Sequence, residues 1–112
     1  MQDKSMAILE RMLDVTAFRQ KLLASNIANA DTPGYKAKDV SFQKELDKVM
    51  DGEQPGYDVY EPVTTMPNRD GNTVNLDIEM AKVAENTLIY NAATQLMMMK
   101  MRMNKDVIRG GR

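Results

Sequence analysis

Residues 24–39, ASNIANADTPGYKAKD, place Asn26, Asn29 and Asp31 just ahead of a Thr-Pro-Gly-Tyr run, and their reading decides where the first structural element stops. Pro33 disfavours helical backbone at Thr32, so a helix arriving from the N-terminus has to end near Ala30 or Asp31. Pro33-Gly34 suits the two central positions of a type II turn, where glycine supplies the positive φ. Asn26 and Asn29 lie three residues apart and therefore share a helix face beside Leu23, Ile27 and Ala30. Their amides can bond a neighbouring segment in fixed geometry. The plainer alternative is an exposed last turn capped by asparagines.

Upstream of this stop, Met6, Leu9, Leu13, Thr16, Gln20, Leu23, Ile27 and Ala30 recur at alternating spacings of three and four. With only Thr16 and Gln20 off pattern, this is a heptad-like seam on a helix over 5–31. A second seam runs through Leu76, Met80, Val83, Thr87, Tyr90, Thr94, Met97 and Met101 towards Ile108. Asn75 suits the N-cap, Asp77 and Glu79 fall in the first turn, and Arg109 with Gly110-Gly111 marks the stop, giving a helix over 75–109. A helix of that length needs a partner, which makes the first one the natural candidate. Residues 32–74 between them hold all four prolines and four of the six glycines. This irregular insert has room for a helical turn or two over 39–50 around Phe42 and Leu46. Tyr57, Val59 and Val63 alternate as a strand would, which allows a short β-hairpin, and 68–72 reads as a turn. The fold class expected is mainly α: two long terminal helices in an antiparallel coiled-coil hairpin, within one domain over 1–112.

Charge is uneven although the net is −1. Residues 1–38 carry +2, 39–61 carry −5, 62–96 carry −2 and 97–112 carry +4. An acidic middle and a basic tail suggest contacts between copies or with partners, or else a solvated loop and cations at a helix C-terminus. The run MMMKMRM at 97–103 puts Met97, Met98 and Met101 on one helix face and Met99 and Met103 roughly opposite. A helix that is apolar on both sides offers a second surface to another chain. A membrane-surface helix is the weaker reading, since Met99 and Met103 interrupt the polar face.

Much chemistry is excluded. With no histidine or cysteine, the commonest general base, thiolate nucleophiles and the usual transition-metal ligands are missing. Asn68, Asp70 and Asn72 echo a calcium loop, but Gly71 is misplaced for one and no Glu closes it. The basic tail lacks interleaved aromatics, so nucleic acid is not an expected partner. No catalytic, cofactor-binding or metal residue is assigned, and no small-molecule substrate is expected. The charged start is not a cleavable secretory signal, and no apolar run reaches the ~20 residues of a membrane span. Taken alone, these features suggest a cytoplasmic helical interaction protein.

The run LLASNIANADTPGYKAKDVSF resembles the N-terminal signature of flagellar rod and hook axial proteins, in which an Asn-x-Ala-Asn-x-x-Thr-Pro-Gly-Tyr motif recurs. Asn26, Ala28, Asn29, Thr32, Pro33, Gly34 and Tyr35 stand at its places, with Asp31 inside it. The run NLDIEMAKVAENTLIYNAATQLM is similar to the tail of proximal rod subunits, and the short length fits a subunit without the large outer domains. The resemblance implies a structural subunit of the hollow proximal rod that polymerises through its terminal helices. It implies export through the flagellar secretion apparatus without cleavage, a place in the periplasmic part of the basal body, and contact with other rod subunits and the membrane-ring adaptor. Residues 26–35 would then be an assembly motif locking one subunit to the next. Leu9, Leu13, Leu23, Ile27, Met80, Val83, Tyr90, Met97, Met98, Met99, Met101 and Met103 would pack helices together. The alternatives are another subunit of the same rod, or a free-standing adaptor that binds one partner helix.

Overall fold

Two long helices dominate because nothing in either seam breaks them before a proline or a cap. The computed structural model describes residues 4–53, 56–63 and 67–110, with side chains through residue 106. Helix α1 spans Lys4–Ala28, strand β1 Asp39–Val40, helix α2 Phe42–Met50, strand β2 Val59–Tyr60, and helix α3 Leu76–Gly110. The expected contact of Ile108, the place of Arg109 and the stop at Gly111 lie outside the described residues and side chains.

Helices α1 and α3 run antiparallel, as pairs of contacts along them establish. Asn26 meets Glu79 near one end, Arg19 meets Glu85 further along, and Ile8 and Leu9 share a groove with Leu96 and Met99 at the other. The molecule is correspondingly long, with extents of 68 × 26 × 17 Å. Asn75 caps α3 as its position suggests, its side chain accepting from the Ile78 amide at 3.2 Å. Among the described residues no helix is long and apolar enough to cross a membrane.

The insert packs against the outer side of α1. Ser41 caps α2 by accepting from the Lys44 amide at 3.2 Å. The two strands pair antiparallel, Asp39 opposite Tyr60 and Val40 opposite Val59. They do not form a tight hairpin, because α2 lies between them. Tyr57 stacks on Phe18 of α1, ring centroids 4.0 Å apart and nearly parallel.

The buried apolar set is small: Leu9, Val15, Leu23, Ala37, Val40, Val74 and Ala93. At about 1.5–3 kcal/mol for each large aliphatic side chain, it supports a modest core. Polar side chains are buried with it, among them Thr16, Asn26, Asp39, Glu45, Asn72, Glu79 and Asn86. These carry directional bonds, so they fix the register that interchangeable apolar contacts would leave loose. They also rotate the seam. Glu79, Val83, Asn86, Ala93 and Met97 turn α3 towards α1, leaving Met80, Thr87 and Tyr90 of the expected seam exposed.

Candidate assembly site at the end of the first helix

The motif folds into a knot of backbone bonds. Helix α1 ends at Ala28, two to three residues before the point set by Pro33, and tightens through bonds from the Asn29 amide to the Ser25 and Asn26 carbonyls. The Asn29 side chain donates to the Ser25 carbonyl at 2.8 Å and accepts from the Thr32 hydroxyl at 3.0 Å, so it caps its own helix. Thr32 to Tyr35 closes the expected turn, with a 3.2 Å bond from the Tyr35 amide to the Thr32 carbonyl. Gly34 takes φ +75°, as a type II turn requires.

A Cβ added at Gly34 would meet nothing within 4 Å, so a substitution there pays only for its backbone conformation. Gly34→Val is therefore expected to lower the unfolding free energy by about 1–2 kcal/mol, and Gly34→Asn by less, since Asn tolerates this region better. Urea midpoints check this, and an unchanged midpoint for the valine variant would contradict it.

Asn26 is fully buried and spends its hydrogen-bonding capacity inside the chain. Its Nδ2 donates to the Lys38 carbonyl at 2.8 Å and to the Glu79 carboxylate at 3.1 and 3.3 Å. Its Oδ1 accepts from the Lys38 amide at 3.0 Å and the Tyr35 hydroxyl at 3.1 Å. One side chain thus ties α1, the segment after the turn and the start of α3 together. A direct bond from this amide to a neighbouring subunit, which its place in the motif suggests, has no free donor or acceptor to use. Ala28, Asp31, Thr32, Pro33 and Gly34, in contrast, remain exposed.

A second loop clasps the first. The fully buried Asn72 donates from Nδ2 to the Asn29 carbonyl at 2.8 Å and the Thr32 carbonyl at 2.7 Å. The Gly34 amide donates to the Asp70 carbonyl at 2.9 Å, and the Thr73 amide to the Tyr35 carbonyl at 3.0 Å. Residues 68–72 therefore act as a protein–protein clasp within the chain. Among the described residues no group of acidic, histidine or cysteine side chains could hold a metal ion. Nothing in the local pattern singles out Asn72; only its register against the helix end gives it this role.

Further along α1, two buried arginines organise the insert. Arg19 makes bonds of 2.8 and 3.2 Å to the Asp39 carboxylate and one of 2.8 Å to Glu85. Lys82 lies 3.3 Å from the same Asp39. Arg11 donates to Glu45 at 2.9 Å and to the Gly56 carbonyl at 2.6 Å, with its guanidinium 4.6 Å from the centroid of Tyr57. Glu45 also accepts from the Asp58 amide at 3.0 Å and pairs with Lys48. Neither the Arg19–Asp39 pair nor the Arg11–Glu45 pair follows from helical periodicity.

Burial alone would raise the Asp39 pKa, but the Arg19 bonds and charge, the Val40 amide and Lys82 outweigh it and hold it below its ordinary 3.8. Burial would likewise lower the pKa of Arg19, and its bonds to Asp39 and Glu85 raise it instead. A carboxylate whose pKa is depressed on folding stabilises fully above its unfolded pKa and loses that contribution as pH falls through the folded value. Stability from this pair is thus expected to hold down to about pH 4 and then to fall. Urea midpoints against pH test this. Asp39→Asn should flatten that part of the curve, and an unaltered acid slope would remove Asp39 from the account.

The expected packing residues divide into three groups. Leu9 and Leu23 are buried between the helices, and Leu13, Ile27, Val83 and Met97 are half-buried. Met80, Tyr90, Met98, Met99, Met101 and Met103 are exposed, Met80 by 63% and Met103 by 59%. Tyr90 and Thr87, although exposed, still border α1, lining a pocket with Thr16, Ala17 and Gln20.

Comparison with known proteins places this arrangement. Residues 13–36, which include the whole motif, match the family described as flagella basal body rod protein. The flagellar basal body rod protein FlgB of Salmonella typhimurium (strain LT2) is 33% identical, the match covering 97% of this chain and 96% of that one. FlgB of Bacillus subtilis (strain 168) is 34% identical over 93% of this chain and 92% of its own length. FlgB of Escherichia coli (strain K12) is 30% identical, with 97% and 96% covered. The chain belongs to the FlgB family of flagellar basal body rod proteins, structural subunits of the rod.

Proposed function

We propose that the chain works as one rod-subunit domain of the proximal rod and polymerises laterally through its terminal helices. The observation that carries this is the apolar surface that α3 leaves exposed. Met80, Leu88, Met98, Met99, Met101 and Met103 are each more than half exposed along one helix, Met99 and Met103 beside α1 in the groove they share with Ile8 and Leu9. Unbranched methionines adapt to non-identical neighbours, which suits a short segment meeting several kinds of subunit.

In this reading the motif has two parts. Asn26, with Tyr35, builds the corner from inside, and the exposed Ala28, Asp31, Thr32, Pro33 and Gly34 present it to the next subunit. Other rod subunits and the membrane-ring adaptor at the rod base are the partners, reached by uncleaved export through the flagellar secretion apparatus into the periplasm. The role is structural and not enzymatic, in keeping with the family and with a chain that has neither histidine nor cysteine.

Sedimentation of the purified chain tests this. Concentration-dependent growth into filaments or helical oligomers is expected. A stable discrete dimer or heterodimer that never grows would favour a free-standing adaptor instead.

A further inference from the structure

At the open end of the hairpin, Ile8, Leu9 and Met12 of α1 and Leu96, Met99 and Met103 of α3 line a groove of about 420 Å³. Its wall is almost wholly apolar, with Ser5 and Lys100 also contributing to the lining. The exposed cations Lys4, Arg102 and Lys105 lie on the same end of the two helices, against the exposed anions Glu10 and Asp106. Such a groove suits an apolar strip carrying acidic flanks.

The insert of the same chain has that chemistry. Val59 is 44% exposed, Tyr60 46% and Val63 fully so. Asp51, Glu53, Asp58 and Glu61 around them are exposed as well, Lys48 being drawn to Glu45 and Asp58. The insert cannot swing freely, because Arg11–Glu45 and the Tyr57–Phe18 stack hold it to α1.

Resting on the rod-subunit reading, we infer that this groove is a docking site for a second copy of the chain, entered by the acidic strip 59–63 of that copy. The two surfaces differ, so the contact is heterologous. Repeated from copy to copy, such a contact closes a ring or extends as a helix and does not stop at a symmetric dimer. The charges make it directional: like ends repel, and basic groove meets acidic insert.

The chain contains no cysteine, so introduced thiols report the contact cleanly. Full-length Met103→Cys and Val63→Cys proteins would be mixed in low salt with a mild disulfide oxidant. The mixed disulfide is expected to form at least about ten-fold faster than either homodisulfide, the scale on which charge steering acts. That preference should vanish near 1 M salt, where the screening length is about 3 Å. Arg102→Glu with Lys105→Glu on the groove side should abolish it, and Glu53→Lys with Glu61→Lys on the insert side should restore it. All these positions are exposed, and helical circular dichroism verifies that each variant is folded.

A mixed disulfide no faster than the homodisulfides, or one indifferent to salt and charge reversal, overturns the inference. Preferential linking of Met103→Cys to itself does so too, by assigning the groove to a symmetric dimer. If basal bodies contain the wild-type chain while the cysteines fail to pair, docking falls and the rod reading stands. If basal bodies lack the chain, the rod reading falls on that ground alone.

Discussion

Arg19→Ala is expected to lower the unfolding free energy by about 3–5 kcal/mol, the usual cost of leaving a buried charge without its partner. Arg19 joins α1 to both β1 and α3, through Asp39 and Glu85. Its contact with Glu85 matters less, since that carboxylate is 62% exposed and partly solvated. The loss falls mainly on Asp39, whose side chain is only 3% exposed and would keep Lys82 and the Val40 amide but no guanidinium. Arg19→Lys should recover little, because an ammonium cannot span both Asp39 oxygens and still reach Glu85. Urea denaturation of the two variants decides the matter. A loss under 1 kcal/mol, or full recovery by lysine, would mean that the pair is incidental to the fold.

Asn26→Asp changes the chemistry of one terminal atom and is expected to abolish incorporation into the rod. The Nδ2 that now donates to Glu79 and to the Lys38 carbonyl becomes an oxygen that faces both of them. Two carboxylates about 3 Å apart in a buried site cannot both ionise. The repulsion forces a proton onto the pair or breaks the corner. Asn26→Ala should be milder, at about 1–3 kcal/mol for each buried partner left unsatisfied. The two are separated by pH: the aspartate variant should regain stability as the solution becomes moderately acidic, while the alanine variant should not. Motility halos and urea midpoints read both effects. A motile Asn26→Asp strain would show that the corner tolerates what the geometry forbids.

The two helices, the stop before Pro33, the turn with positive φ at Gly34 and the cap at Asn75 are all legible along the chain, since each depends on residues a few positions apart. The contacts that orient the helices are not. Arg19 and Asp39 are twenty residues apart, and Arg11 and Glu45 thirty-four. A single sequence offers no reason to pair one arginine and one carboxylate among fifteen cations and sixteen anions. Asn72 looks like an ordinary turn residue until the loop is laid against the end of α1. The exposure of Met80, which apolar spacing put in the inner seam, has a different cause. In a helix with apolar residues on both sides, spacing finds a stripe but cannot say which one faces the partner within the chain. Asn86 and Glu79, being polar, did not look like core, yet their bonds to α1 mark the inner face.

The motif itself was legible as a unit but not in its division of labour. Asn26 and Asn29 share a helix face in sequence, yet one is sealed inside the corner and the other caps the helix end. The difference lies in the chain after the turn. Tyr35 and Lys38 return over Asn26, whereas Asn29 stays at the margin.

The central claim is tested most directly by mass spectrometry of hook–basal bodies extracted with detergent from the source cells. The account predicts this chain in the purified bodies at several copies each. Its absence from bodies of fully flagellated cells, with all of it in the soluble fraction, would contradict the account.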